Sequence, residues 1–231
     1  MKIYASRVLE IPDRIYEQFF NLLDRKRQEK VKAIKHREER LRSVSAGLLL
    51  RHAFLEAGFG EDAWSRLEIE EGSYGKPYLS NCGGFFYSLS HSGEWVLCAA
   101  DDMETGADIQ KIGALKMSVA NRFYSGEEYK RLLEYESDRD RQTVEMYKMW
   151  VAKESCVKLT GRGIGAGISR YVADCSYTYM TDTQTGSRFY IRLYGEIPGY
   201  AVCACSRRQR FPERIIIADA DRISKTGGKT C

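Results

Sequence analysis

Two stretches of this chain carry residue types that could hold a metal ion and a phosphate together. In Gly106-Ala107-Asp108-Ile109-Gln110, read as the end of a strand, residues two apart share a face, so Asp108 and Gln110 point the same way. In Trp150-Val151-Ala152-Lys153-Glu154-Ser155-Cys156-Val157-Lys158, read as a helix, Trp150, Glu154 and Lys158 stack at spacings of four. A strand carboxylate facing a helix carboxylate and an ammonium makes a seat for a hard cation and a phosphate. Magnesium takes a few carboxylate oxygens plus substrate phosphates more readily than a full protein cage. The plainer reading of Glu154 is a helix ion pair to Lys158, a favourable orientation but worth only ~0.5 kcal/mol.

The elements that must position these residues follow from periodicity. Residues 3–11 read as a strand, and Pro12-Asp13 opens a helix over 13–24. A basic segment reads as helical and runs into 41–57, where Leu41, Val44, Leu48, Leu49 and Phe54 give an apolar face that Gly58 and Gly60 terminate. Residues 67–70 alternate like a strand, Gly75-Lys76-Pro77 is a turn, and 85–90 and 94–100 are strands joined at Ser92-Gly93. The second half opens at Thr105-Gly106, with helices over 115–123, 126–136 and 141–159. Strands follow at 170–180, 187–195 and 200–205. Gly93-Glu94-Trp95-Val96-Leu97-Cys98-Ala99-Ala100 echoes Gly199-Tyr200-Ala201-Val202-Cys203-Ala204-Cys205. Buried strands look alike, but the echo also suits a duplicated α+β unit with its ligand between the copies, where binding clefts favour forming.

Composition narrows the classes. A hydrophobic content of 43 % over 231 residues is enough for a packed core. No apolar run approaches the ~20 residues that span a bilayer, and the first residues lack the apolar centre of a signal peptide, so a cytoplasmic, non-membrane protein is expected. The tail 224–230 is polar and Gly-rich and reads as disordered. Seven Cys with no CxxC pair read as reduced, mostly buried thiols. Residues 25–42 hold nine Lys or Arg against three Glu, which leaves the rest of a +4 chain at −2. That concentration suggests a single anionic ligand site. It contains no aromatic residue to stack on bases, which counts against single-stranded nucleic acid as a partner.

Taken in order, Gly75-Lys76-Pro77, Ser88-Leu89-Ser90-His91-Ser92-Gly93, Gly106-Ala107-Asp108-Ile109 and Trp150-x-x-Lys153-Glu154-Ser155-x-x-Lys158-x-x-Gly161-x-Gly163 give the chain a family likeness over nearly its whole length. It resembles the 4′-phosphopantetheinyl transferases, specifically the monomeric type that activates surfactin and related peptide synthetases. The resemblance implies an α+β fold of two similar halves, 1–103 and 104–231, related by a pseudo-two-fold, with coenzyme A and Mg²⁺ (or Mn²⁺) in the cleft between them. It implies transfer of the phosphopantetheine arm to a serine of an apo carrier protein of a peptide, polyketide or fatty-acid synthase, releasing adenosine 3′,5′-bisphosphate.

Carried over by position, the resemblance places Arg27, Lys30, Arg42 and the Ser43 hydroxyl near the 3′-phosphate. The turn Tyr74-Gly75-Lys76 would lie near adenine and a phosphate, and Ser90 and a doubly protonated His91 on phosphate. Asp108, Gln110 and Glu154 become the metal ligands, Glu154 the base for the attacking serine, and Lys158 a partner for charge on the phosphate. Each has an ordinary alternative: charge runs are commonly solvated helix faces, a GKP turn a surface hairpin, a lone His structural. Gln110 departs from the family, which usually has a second acid there. One negative charge is therefore missing, and weaker metal binding is expected. A catalytically impaired coenzyme A-binding relative is the alternative reading. Gly161-Arg162-Gly163-Ile164-Gly165-Ala166 mimics a dinucleotide fingerprint but follows a helix rather than a strand, so it reads as a helix-ending turn. For carrier docking the candidates are Lys111, Lys116, Met117, Arg122, Phe123 and Tyr124, an amphipathic stretch that could equally be an ordinary surface helix.

Overall fold

A computed structural model describes residues 1–114, 117–163, 165, 167–219 and 222–223. The first half runs β1 (Lys2–Arg7), α1 (Asp13–Asn21), α2 (Arg25–Ala33), α3 (Arg37–Glu56), α4 (Glu61–Ser65), β2 (Ile69–Glu71), β3 (Pro77–Leu79), β4 (Phe86–Ser92) and β5 (Trp95–Asp101). The second runs β6 (Thr105–Lys111), α5 (Met117–Phe123), α6 (Gly126–Leu133), α7 (Arg139–Thr160), β7 (Tyr171–Ala173), β8 (Tyr179–Asp182), β9 (Arg188–Tyr194), β10 (Tyr200–Ser206) and β11 (Ile216–Ile217).

The two main sheets share one plan. In the first, the order is β11-β1-β5-β4; in the second it is β6-β10-β9-β8-β7. In both, the opening strand and the hairpin's first strand flank a central last strand (β1-β5-β4 and β6-β10-β9), all antiparallel. A long helix packs on each central strand, α3 on β5 and α7 on β10. Each central strand follows a left-handed glycine, Gly93 at φ +54° and Gly199 at φ +77°, and these are the two stretches that echo each other in sequence. The fold is α+β, as the sequence implies. The last strand, β11, returns to pair in parallel with β1.

Strands β4 and β6 end their respective sheets, and they meet along a seam of side chains. Ser88, Ser90 and Ser92 share one face of β4, and their hydroxyls accept the amides of Ala107 (3.0 Å), Ile109 (3.4 Å) and Lys111 (2.9 Å). The register rises together in both strands, so they run parallel. Edge amides are normally a pairing liability; here serine hydroxyls satisfy them and join the two sheets.

Helix α7 is capped by Asp138, whose side chain accepts from the Arg141 amide, and ends at Gly161, left-handed at φ +67°. It lies unusually close to β6. A Cβ on Gly106 would sit 1.9 Å from the Ser155 carbonyl oxygen and 2.6 Å from the Leu159 nitrogen. Only glycine allows that approach, and Asp108 lies two residues on, on the same strand face.

Several expected elements differ from those observed. The opening strand ends at Arg7 rather than residue 11, where Leu9 leaves the sheet to donate to the Ser45 hydroxyl, and α1 ends at Asn21 rather than 24, because Asp24 caps α2. The single basic helix is two: the chain turns extended at Ile34 and His36, letting α2 fold back on α3 over Gly47, where a Cβ would meet Leu23 Cδ2 at 2.7 Å. The strand over 170–180 is a hairpin, because the Asp174 carboxylate gathers the amides of Ser176, Thr178 and Tyr179 and holds a turn between β7 and β8. Helix α6 stops at Leu133 rather than residue 136. The short α4 and β11 have too little periodicity to read in sequence. Lys116, Ile164, Ala166 and the tail 224–230 lie outside the described residues.

Candidate active site between the two halves

A cleft of about 430 Å³ opens where the halves meet. Helix α2 and the turn before β3 supply Arg27, Lys30, Tyr74, Gly75 and Lys76; β4 supplies Tyr87 and His91; α7 supplies Glu154 and Lys158. The chain brings these together through two contacts. The first is Gly106, which presses α7 onto β6. The second is Lys76, whose ammonium donates to the Leu159 carbonyl at 2.8 Å in the last turn of α7. Gly161 makes room for that lysine: a Cβ there would meet Lys76 Cδ at 3.1 Å.

Asp108 is the hub. It is 1 % exposed, and its Oδ1 accepts from the Ser90 hydroxyl and from the Lys158 ammonium, both at 2.6 Å. The Gln110 amide donates to Oδ2 at 3.4 Å, while its own oxygen accepts from Ser92 at 3.3 Å. Lys158 thus pairs with Asp108 on the neighbouring strand β6, rather than along its helix with Glu154. Glu154 is 7 % exposed and has no hydrogen-bond partner among the described residues. Burial, then the Asp108 charge, push its carboxyl up to about 7 against the pull of Lys158. A buried carboxylate with so high a pKa needs a cation or a proton.

The remaining cations divide by partner. Arg27 and Lys30 face the cleft, and burial lowers the Lys30 pKa. Arg42 lies outside the cleft lining and pairs with Glu39 at 2.5 Å, although both act electrostatically on His91. Lys26 pairs with Glu71 and Arg37 with Asp13. Ser43 is buried on α3, one turn before the cleft-lining Ala46, and its hydroxyl has no hydrogen-bond partner among the described residues. Burial pushes the His91 pKa below the usual histidine value, opposed by Glu39. The fold by itself therefore favours the neutral ring, whereas the sequence suggests a doubly protonated ring on bound phosphate. Lys153, the other charged residue of the α7 motif, turns away: it is fully buried, paired with Glu128 at 2.8 Å and bonded to the Tyr171 carbonyl.

A family model described as the 4′-phosphopantetheinyl transferase superfamily matches residues 102–215, and one described as 4′-phosphopantetheinyl transferase, N-terminal, matches residues 12–103. The chain belongs to the 4′-phosphopantetheinyl transferases. It is similar to the 4′-phosphopantetheinyl transferase Sfp of Bacillus subtilis (strain 168), at 29 % identity over 224 residues, 96 % of this chain and 97 % of that one. It is 27 % identical to the 4′-phosphopantetheinyl transferase psf-1 of Bacillus pumilus, again over 96 % and 97 % of the two chains. The 4′-phosphopantetheinyl transferase gsp of Aneurinibacillus migulanus is 24 % identical over 86 % of this chain and 84 % of its own. The chain is accordingly a transferase.

For a phosphopantetheinyl transferase the donor set here suits a hard divalent cation. Asp108 and Glu154 offer carboxylate oxygen and Gln110 an amide oxygen that now accepts from Ser92, and the pKa-raised Glu154 is the group such an ion would relieve. No cluster of three His, Cys, Asp or Glu that could hold a metal ion is found among the described residues. Two features escaped the sequence reading. The alternation Ser88-x-Ser90-x-Ser92 was visible as a motif, but nothing in it announces a seam between sheets. Tyr87, next to that motif, looks like any buried strand aromatic. Of the docking candidates, Phe123 stacks edge-on against Trp150 at 5.6 Å and Tyr124 is buried with its hydroxyl on the Met146 carbonyl. Both therefore anchor α5 to α7 instead of facing outward.

Proposed function

We propose that this transferase moves the 4′-phosphopantetheine arm of coenzyme A onto a serine of an apo carrier protein and releases adenosine 3′,5′-bisphosphate. The observation that carries the reading is a cleft lined by Arg27, Lys30, His91, Glu154 and Lys158, with the buried Asp108 directly behind it, paired to Lys158. Arg27, Lys30 and the Ser43 hydroxyl, with Arg42 at the margin, hold the 3′-phosphate; the Tyr74-Gly75-Lys76 turn lies against adenine and, with Ser90 and His91, frames the phosphates. Guanidinium and ammonium donors suit those anions.

A divalent cation, Mg²⁺ or Mn²⁺, held by Asp108, Glu154 and the Gln110 amide oxygen would supply charge to the pyrophosphate oxygens. The chain's own residues do the rest. Ser90 and Lys158 fix the Asp108 carboxylate. Glu154 takes the proton of the carrier serine as its oxygen bonds to the β-phosphorus and the bond to the departing bisphosphate breaks. Lys158 stabilises charge on the phosphoryl oxygens as it moves from one oxygen to the other.

Among the described residues no helix is long and apolar enough to cross a membrane, and the six described cysteines are free thiols. The free thiols fit action in the reducing cytoplasm, and a cleft lined entirely by one chain fits a monomer. The test is incubation with coenzyme A, Mg²⁺ and a panel of apo carrier proteins from peptide, polyketide and fatty-acid synthases, each then weighed intact. A gain of one phosphopantetheine that is lost with EDTA or with Glu154→Ala supports the reading. Coenzyme A binding with no mass gain on any carrier would replace it with a non-catalytic coenzyme A-binding protein.

A further inference from the structure

The alternation that points Ser88, Ser90 and Ser92 across the seam points Tyr87, Leu89 and His91 the other way, toward α2 and α3. Tyr87 is 5 % exposed, packs its ring near Phe85 (centroids 6.4 Å apart) and lines the same cleft as Arg27, Lys30 and Ala46. Its hydroxyl is buried and has no hydrogen-bond partner among the described residues. Phenylalanine would fill this place equally well, and an unpaired buried hydroxyl costs on the order of 1–3 kcal/mol. The oxygen therefore has work that packing does not explain.

Its surroundings say what kind. Arg27 and Asp24 are the charges that act on it most; Asp24 Oδ1 accepts the Arg27 amide at 2.8 Å, while Oδ2 is buried and has no hydrogen-bond partner among the described residues. Burial raises the phenol pKa, so the group remains a protonated donor. The second orphaned hydroxyl, Ser43, lies on the α3 face that carries Ala46. A donor hydroxyl in the cleft that Arg27 and Lys30 also line matches a phosphate monoester, which has three acceptor oxygens and close to two negative charges.

We propose that the Tyr87 hydroxyl donates a hydrogen bond to the 3′-phosphate of coenzyme A and helps distinguish coenzyme A from its 3′-dephospho form. This rests on coenzyme A being the ligand of the cleft. Titration calorimetry with Mg²⁺ present tests it, comparing the wild type and Tyr87→Phe with four ligands: coenzyme A, 3′-dephospho-coenzyme A, adenosine 3′,5′-bisphosphate and AMP. The variant is expected to bind coenzyme A and the bisphosphate about tenfold more weakly, with dephospho-coenzyme A and AMP unchanged. Its ligand-free Tm should equal or exceed that of the wild type, since an unpaired polar group has been removed. Tyr87→Met, a second variant without the hydroxyl, should repeat the pattern if Tyr87→Phe is poorly folded. Equal weakening of all four ligands, or none, overturns the inference while coenzyme A binding by the wild type stands. A wild type that binds neither form of coenzyme A overturns the proposed function, and this inference with it.

Discussion

The Ser90 hydroxyl lies 2.6 Å from Asp108 Oδ1, so a side chain from one half fixes a candidate metal ligand on the other. Ser90 also accepts the Ile109 amide at 3.4 Å, which leaves Asp108 little rotational freedom. Ser90→Ala is expected to lower kcat by about 10- to 100-fold, the usual effect of removing a hydrogen bond that orients a ligand. Steady-state kinetics at saturating coenzyme A would show it; near-normal kcat would assign Ser90 to the seam alone.

Gln110→Glu restores a second acid beside Asp108, where Ser92 can donate to it as it now donates to the amide oxygen. The apparent Mg²⁺ affinity should tighten about tenfold, as one more charged oxygen joins the set. An Mg²⁺ titration of turnover reads this directly. Unchanged affinity in a folded variant would remove Gln110 from the metal site.

Glu154 gives a prediction for stability as well as activity. Its carboxyl is raised from 4.5 to about 7, so the folded state binds a proton more tightly than the unfolded chain. Stability therefore falls as pH rises from about 4.5 through 7, and above 7 the loss is complete. Metal-free Glu154→Gln should be more stable than the wild type at pH 8, on the order of 2 kcal/mol, and equal to it near pH 4. It should also be inactive in transfer. Urea melts at the two pH values test the first part; a variant no more stable at pH 8 would contradict the burial argument.

Gly106→Ala puts a methyl group against backbone, not against a side chain that can move aside. Prising α7 from β6 should destabilise the protein by at least ~3 kcal/mol and separate Glu154 from Asp108. Denaturant melts report the loss; a variant of wild-type stability would mean that the close approach is not needed.

Burial lowers the His91 pKa and so favours the neutral ring. A phosphate beside it favours the protonated ring, so coenzyme A binding should take up protons, and affinity should decline as pH rises toward 8. Calorimetry in buffers of different ionisation enthalpy measures that uptake. His91→Ala should abolish it; uptake that persists in the variant belongs to another group.

Much of the site was legible in the sequence because its residues sit on regular elements. Asp108 and Gln110 share a strand face, and Glu154 and Lys158 a helix face, so periodicity alone orients each pair. The central strands carry their echo openly, each behind a left-handed glycine. What periodicity does not carry is which faces meet. Lys158 had a partner four residues away in sequence, and the fold gave it Asp108 instead. The basic run read as one helix, and α2–α3 packing broke it and divided its cations between the cleft and surface ion pairs.

The sequence alone determined the residue types, their local faces and the family likeness, because these depend on short-range spacing and motif order. The tertiary structure alone decided that serine hydroxyls join β4 to β6, that Gly106 draws Glu154 toward Asp108, and that the Tyr87 hydroxyl is left without a partner among the described residues. The reason is physical. Those outcomes depend on contacts between residues far apart in the chain, where one missing Cβ or one unpaired oxygen sets the geometry and no local pattern records it.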